Sequence, residues 1–402
     1  MPIDVLGPVN PVIMDLLRYG LAVVLIVGVR RSGDGHRGLG VLIGVLLCLY
    51  NVALLLRGLY ADQGSVMSQA TIGIVSVLVA ILATRNWRIN RAILAGFLAG
   101  ATLSATDILL QVAGLPYLGT PTEWGTRYPG LSFTSTNTAP FLALALVLVI
   151  SSHLWTSRPA VRMSRILLFV ILFAGLALSG GRGGLGGFIL ALTVFLMFRF
   201  SRQPILAVIT SAAGLVVVVT RWDQLMDFLT RGGTSSGFTT GRDELNAQAW
   251  SAFLDSPILG VELVSRAGYN PHTPILSFAL DIGLAGLLVG IAGVFALLLR
   301  MARPIRRGPA GEVLCMMAAV MVVTALLEPV GFFVGFTKAC LLMIVLTGGV
   351  RDYEKSEEEP ATTPSGDQGL RAHGRPAHGQ PLSGAVHSGH AATGYSAGIA
   401  VR

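Results

Sequence analysis

Charge is what this chain has little of. Only 12% of its 402 residues are Asp, Glu, Lys or Arg while 53% are hydrophobic, whereas soluble globular domains carry about a quarter charged residues. That deficit excludes a single water-soluble core and points to lipid. Cysteine is scarce too. The three present, Cys48, Cys315 and Cys340, lie inside apolar runs, with no spacing that suggests a zinc site or a disulfide framework. The basic stretch that opens a cleavable signal is also missing: the first apolar run carries Asp15 and Arg18 instead, and is expected to stay as the first span. The formal net charge of +8 is not gathered into one basic surface, because the arginines fall into short loops between apolar runs. A nucleic-acid partner is therefore excluded, and the arginines read as topology signals.

What the chain has in abundance is apolar runs of about the 20 residues a helix needs to cross roughly 30 Å of hydrocarbon. Candidate spans are 9–29, 39–56, 70–83, 92–112, 137–152, 166–179, 184–198, 205–220, 274–299, 312–327 and 333–350. The expected fold is thus all-α, a polytopic transmembrane bundle with these spans. Basic residues divide unevenly between alternate connections. One set of short loops holds Arg30, Arg31, Arg37, Arg85, Arg88, Arg91, Arg158, Arg162, Arg165, Arg199, Arg202, Arg300, Arg303, Arg306 and Arg307. The other holds Arg57, Arg127, Arg182, Arg221, Arg231, Arg242, Arg266 and Lys338 over much longer sequence. By the positive-inside rule the first set is cytoplasmic, which puts the N-terminus outside and the C-terminus inside.

Two regions fall outside this pattern. Residues 221–272 form an outward loop too long for a simple turn, and so a candidate for function. Residues 351–402 open with a charged run and continue in Gly, Pro, Ser, Ala and His, a composition that cannot bury a core and predicts a disordered cytoplasmic tail. The expected domains are 1–350, membrane-embedded, and 351–402, the tail.

Ionisable residues inside spans are costly and usually face a cavity or a partner. Asp15, Arg18, Asp107, Asp281 and Glu328 all lie toward the outer ends of their expected spans. As a set they outline a pocket open outward, although any one of them could simply snorkel to the interface. A transporter would be expected to carry polar residues at the midplane.

Three constellations could carry chemistry. The run Ser179-Gly180-Gly181-Arg182-Gly183-Gly184 joins two spans. Its glycines let backbone N–H groups approach an anion, and Arg182 adds a forked donor set suited to phosphate. A tight glycine turn with a snorkelling arginine is the competing account. In the outer loop, Thr240-Gly241-Arg242-Asp243 precedes an amphipathic stretch with Leu245, Ala249, Ala252 and Phe253 at helical spacing, ended by Pro257 and Gly260. A cation at a helix start is unfavourable unless an anion is shared there, so Arg242 suits a bound phosphate, or an ion pair with Asp243. The third is Arg266-Ala267-Gly268-Tyr269-Asn270-Pro271-His272-Thr273-Pro274. Thr273 suits an N-cap and Pro274 a first helical turn, which places His272, the sole outward histidine, at a helix mouth. A helix start and neighbouring cations both disfavour imidazolium and leave a ring able to accept a proton.

Taken in order, these segments resemble the O-antigen ligase and polymerase family. The resemblance rests on Arg127 to Asn137, Ser179 to Gly184, Gly241-Arg242 with the helix to Asp255-Ser256-Pro257-Ile258-Leu259-Gly260, Pro271-His272, and Leu280-Asp281-Ile282-Gly283-Leu284. It implies a membrane glycosyltransferase that needs no metal or other cofactor. Such an enzyme takes a glycan from an undecaprenyl-diphosphate carrier at the outer face of the cytoplasmic membrane and passes it to a hydroxyl on a lipid or glycan acceptor. By position, Arg182 and Arg242 match the family's diphosphate-binding arginines and His272 its candidate base. Arg127, Arg266 and Asp281 complete the expected substrate-binding set. This chain departs from the family at Thr273, where Asn is usual, and at Gly181, where Ser or Thr is common. A flippase or exporter of lipid-linked polysaccharide and a non-enzymatic membrane scaffold are the other readings.

The orientation is directly testable. A cysteine placed at Ser236 should react with an impermeant thiol reagent in intact cells, and one at Ser383 should react only after the membrane is opened. The reverse pattern would invert the topology.

Overall fold

The computed structural model describes residues 38–83, 87–119, 127–132, 134–151, 159–200, 242–262, 268–269, 271–302, 309–328 and 336–347. Spans 9–29 and 205–220, the tail from 351, Arg266, Thr240 and the charges Asp15 and Arg18 lie outside these residues. The described residues are helical, with no strand among them. In chain order the helices are α1 (Gly38–Tyr60), α2 (Gly64–Ala83), α3 (Trp87–Val112), α4 (Ser135–Ile150), α5 (Pro159–Ser179), α6 (Arg182–Phe200), α7 (Arg242–Asp255), α8 (Pro274–Ile282), α9 (Leu284–Ala302), α10 (Pro309–Leu327) and α11 (Phe336–Thr347).

Five of these, α1, α2, α3, α5 and α9, are long and apolar enough to cross a membrane, while α4, α6, α10 and α11 contain shorter apolar helices. Their packing explains the uneven lengths. From Ala139 to Val149, from Val313 to Val322 and from Ala339 to Leu346 the side chains of α4, α10 and α11 are almost all buried. A helix apolar all round belongs in the centre of a bundle. The longer helices instead carry apolar residues outward. On α1 the exposed side chains include Leu42, Val45, Leu49, Val52, Leu56 and Leu59; on α9 they are Leu284, Leu288, Ile291, Phe295 and Leu298. Both series step by three or four residues, so each forms one continuous stripe on one helical face. Water would not tolerate such stripes, but acyl chains would cover them.

Several helices begin earlier than the apolar runs alone suggest. α3 starts at Trp87 and takes in Arg88 and Arg91, and α5 starts at Pro159 and takes in Arg162 and Arg165. A helix keeps its hydrogen-bond ladder across the interface, where arginine can snorkel. Arg165 also caps a neighbour: its guanidinium donates to the Val149 carbonyl at 2.8 Å and the Ile150 carbonyl at 3.1 Å, closing the C-terminal end of α4.

The expectation of a single span over 274–299 does not hold. At Gly283 the backbone takes φ +67, a left-handed conformation that ends α8 and reverses the chain into α9. The two helices then pack side by side as a hairpin. A Cβ on Gly286 would run into the Phe278 carbonyl, and one on Gly290 would lie 3.0 Å from the Ile275 Cα. Because 286 faces 278 and 290 faces 275, α8 runs antiparallel to α9, with its first turn beside Gly290. That point is roughly 9 Å along α9, at about 1.5 Å per residue. α8 is therefore a short helix that starts about a third of the way along α9, and not the outer half of a long span. His272 sits at that level and not at the end of α9, while Asp281 sits beside the hairpin turn.

Substitutions at the hairpin should be disruptive. Gly286→Ala should lower the unfolding temperature in detergent, since overpacking against a backbone carbonyl costs roughly 1–3 kcal/mol. Gly64→Ala, where a Cβ meets nothing within 4 Å, is the matched control and should be neutral. Equal behaviour of the two variants would contradict the hairpin packing.

Candidate functional site

The polar side chains cluster where α1, α3, α5 and α10 finish and α2, α4, α6 and α11 start. Most of them bond to backbone groups that helices leave open at their ends. Asp107, buried near the end of α3, accepts from the Leu118 amide at 2.6 Å and the Gly119 amide at 3.2 Å, and from Gln111 Nε2 at 2.8 Å. It folds the segment after α3 back onto the helix that carries it. Pro129 receives a short hydrogen bond from the Thr138 hydroxyl in the first turn of α4, so the stretch from Tyr128 to Ser132 is pinned beside that helix.

The glycine run forms the turn between α5 and α6. Gly180 has φ +65, and the methylenes of Arg127 lie over it, with Cγ 3.2 Å from where a Gly180 Cβ would stand. Arg182 is the first residue of α6, half-buried, with its Nη2 shielded from solvent. Arg127 and Arg182, distant in sequence, thus flank one turn. The backbone here does not act as the sequence suggests. The Gly183 amide donates to Glu328 Oε1 at 3.1 Å, and Glu328 is 1% exposed. A carboxylate at a helix start complements the helix dipole, so Glu328, from the end of α10, occupies that part of the anion position. Gly183 has to be glycine because a Cβ would lie 2.5 Å from the carboxylate. The Gly183 amide is therefore committed to Glu328, and the remaining candidate donors to an anion at this turn are the arginine side chains.

Lys338, which the loop count treats only as an outward charge, is buried in the first turn of α11. Its Nζ lies 3.3 Å from Asn137 Oδ1 on α4 and 5.8 Å from the Phe141 ring centroid. These contacts attach α11 to α4 at the same end of the bundle.

His272 lies directly before the Thr273 N-cap, whose hydroxyl accepts from the Leu276 amide at 3.4 Å, and Pro274 opens α8, as the sequence predicts. The His272 amide donates to Asn246 Oδ1 at 2.8 Å, and His272 Nδ1 is shielded from solvent. Asn246 belongs to α7, the amphipathic helix expected from Leu245, Ala249, Ala252 and Phe253. Ala249, Ala252 and Phe253 are buried against Ala279 and Leu280 of α8. Arg242 opens α7, one helical turn before Asn246. The backbone positions of Arg242 and His272 are therefore brought together by helices packed against each other.

Asp281 has a different set of partners. The Tyr50 hydroxyl donates to its Oδ2 at 2.6 Å, and Tyr50 also packs on Phe278 with ring centroids 4.4 Å apart. Arg57 donates to the Asp281 carbonyl and, at 2.8 Å, to the Val261 carbonyl. The Val261 amide in turn donates to the Leu280 carbonyl at 2.8 Å. Asp281, Tyr50 and Arg57 fasten α8 and the segment before it to α1. Sequence inspection does not find this, because Tyr50 and Arg57 lie more than 200 residues away and no local pattern links them to Asp281.

Of the expected site residues, Arg127 meets the Arg182 turn, Arg242 and His272 share the α7–α8 unit, and Asp281 is tied to α1. Glu328 and Lys338 are expected at this end from the sequence, but their partners, the Gly183 amide and Asn137, are not. Glu328→Ala should destabilise the fold by about 1.5–3 kcal/mol, the worth of a hydrogen bond to a charged group. Glu328→Gln, which keeps an acceptor for Gly183, should recover much of the loss in thermal unfolding. No family model matches the chain, and no curated protein is significantly similar to it.

Proposed function

We propose that the chain transfers a glycan from an undecaprenyl-diphosphate carrier to an acceptor hydroxyl at the outer face of the cytoplasmic membrane, as a ligase or a polymerase. The observation that carries this reading is the α7–α8 unit: Arg242 opens one helix, and one turn later Asn246 holds the His272 amide at the mouth of the other. The backbone of an arginine and that of a candidate base thereby lie on two helices packed against each other, which supports the pairing. Arg127 and Arg182 at the glycine turn supply a second pair of cations.

The chemistry asks for these groups. The acceptor oxygen attacks the anomeric carbon, the bond from that carbon to the diphosphate breaks, and the carrier leaves as its diphosphate. That leaving group is already ionised, so arginines can stabilise it without a strong general acid. The hydroxyl is the weaker partner, and His272 takes its proton as the new glycosidic bond forms.

Two measurements check the assignment. Arg182→Lys and Arg242→Lys should each slow turnover of a lipid-diphosphate glycan, because a point charge replaces a forked donor set. The alanine variants should lose about tenfold to a hundredfold, corresponding to roughly 1.5–3 kcal/mol. His272→Ala should still bind the donor lipid yet transfer roughly a hundredfold to ten-thousandfold more slowly. Transfer by His272→Ala at the normal rate and with an unchanged pH profile would move the role of base to a carboxylate.

A further inference from the structure

α7 presents three different surfaces. One is buried against α8 through Ala249, Ala252 and Phe253. A second is polar and exposed, made of Glu244, Gln248, Ser251 and Asp255. The third is apolar and exposed: Trp250 at 44% and Leu254 at 57%, followed past the helix end by Ile258 at 78% and Leu259 at 73%. At roughly 100° per residue the three sectors lie about a third of a turn apart. A helix in a water-filled loop has no reason to hold such a ridge open.

We infer that the ridge of Trp250, Leu254, Ile258 and Leu259 is inserted among the acyl chains of the bilayer, so that α7 lies at the edge of the bundle with lipid on one side and water on the other. Two features of the fold name lipid as the occupant. The ridge meets the start of the apolar stripe of α9: the Leu284 amide donates to the Pro257 carbonyl at 2.7 Å, and the Ile258 backbone lies against Gly283, so Ile258 stands beside the first residue of that stripe. The depth agrees as well. α7 packs on α8, α8 packs on the first half of α9, and that half of α9 belongs to a helix long and apolar enough to cross a membrane. The sector geometry is that of an interfacial helix, with tryptophan at the boundary. This inference does not depend on the reaction proposed above, and part of the loop expected over 221–272 would then be a membrane-inserted element.

The test uses the full chain in lipid vesicles, with nitroxide labels on Leu254→Cys, Ile258→Cys and Ser251→Cys. All three positions are exposed, and labelling of the parent protein corrects for Cys48, Cys315 and Cys340. Oxygen, which concentrates in acyl chains, should relax the labels at 254 and 258 more than a water-soluble nickel complex does, with the opposite order at 251. Dominance of nickel at 254 and 258 overturns the inference, as does a label there that neither reagent reaches because a second copy or another protein covers it. An independent reading comes from Trp250. Acyl-chain bromine should quench the parent protein's emission more than that of Trp250→Phe, and iodide should show little such difference. A Trp250 component quenched by iodide and not by bromine overturns the inference without reference to any labelled variant.

Discussion

A backbone amide or carbonyl placed at the depth of lipid has no water to turn to, and leaving one unmet costs several kcal/mol. A continuous helix meets the demand internally, so the trouble gathers wherever a helix stops. In this protein charged and polar side chains are sent to those places. Arg57 serves the carbonyls of Asp281 and Val261, and Arg165 serves the last carbonyls of α4. Asp107 serves two amides after α3, Glu328 one at the start of α6, and Asn246 the amide of His272. The short helices and reversals around α8 are possible in an apolar bundle because each opening is closed from elsewhere in the chain.

The same constraint explains what could be read from the sequence. Apolar runs announce helices because hydrophobicity is a local property. Eight of the expected spans appear as helices with ends shifted by a few residues, and α7 appears where its Leu245, Ala249, Ala252 and Phe253 spacing predicts. The N-cap at Thr273 and the proline that follows were legible for the same local reason. Gly283 was not. Between Ile282 and Leu284 it sits in a stretch that is apolar apart from Asp281, and a glycine inside such a run looks like any helical glycine. What makes it a reversal is the fit of Gly286 and Gly290 against α8, a tertiary fact. Likewise, a count of arginines for topology treats Arg57 and Arg165 as interchangeable charges, although each is committed to particular carbonyls.

The candidate site illustrates both sides. His272 and Arg242 stood out because a histidine before an N-cap and an arginine at a helix start are unusual in local terms. Glu328 lies at the end of a helix and is separated from Gly183 by 145 positions, so nothing near it in sequence reveals that it meets the glycine turn. Its presence changes the chemistry assigned to that turn. The backbone donor has a protein carboxylate, and the arginines stand in a field that is less positive than a count of cations alone would give.

The brevity of α8 has a consequence for how the protein is made. Nine residues span only about 13–14 Å as a helix, too little to cross the hydrocarbon region unaided. A nascent chain emerging up to Ile282 offers the insertion machinery a segment that cannot be held in the bilayer. Only when Leu284 to Ala302 has followed does a span-length apolar helix exist, and α8 can then fold back onto it. The helix at whose mouth the candidate base stands must therefore reach its place after its own synthesis is complete, drawn in by the sequence that comes behind it.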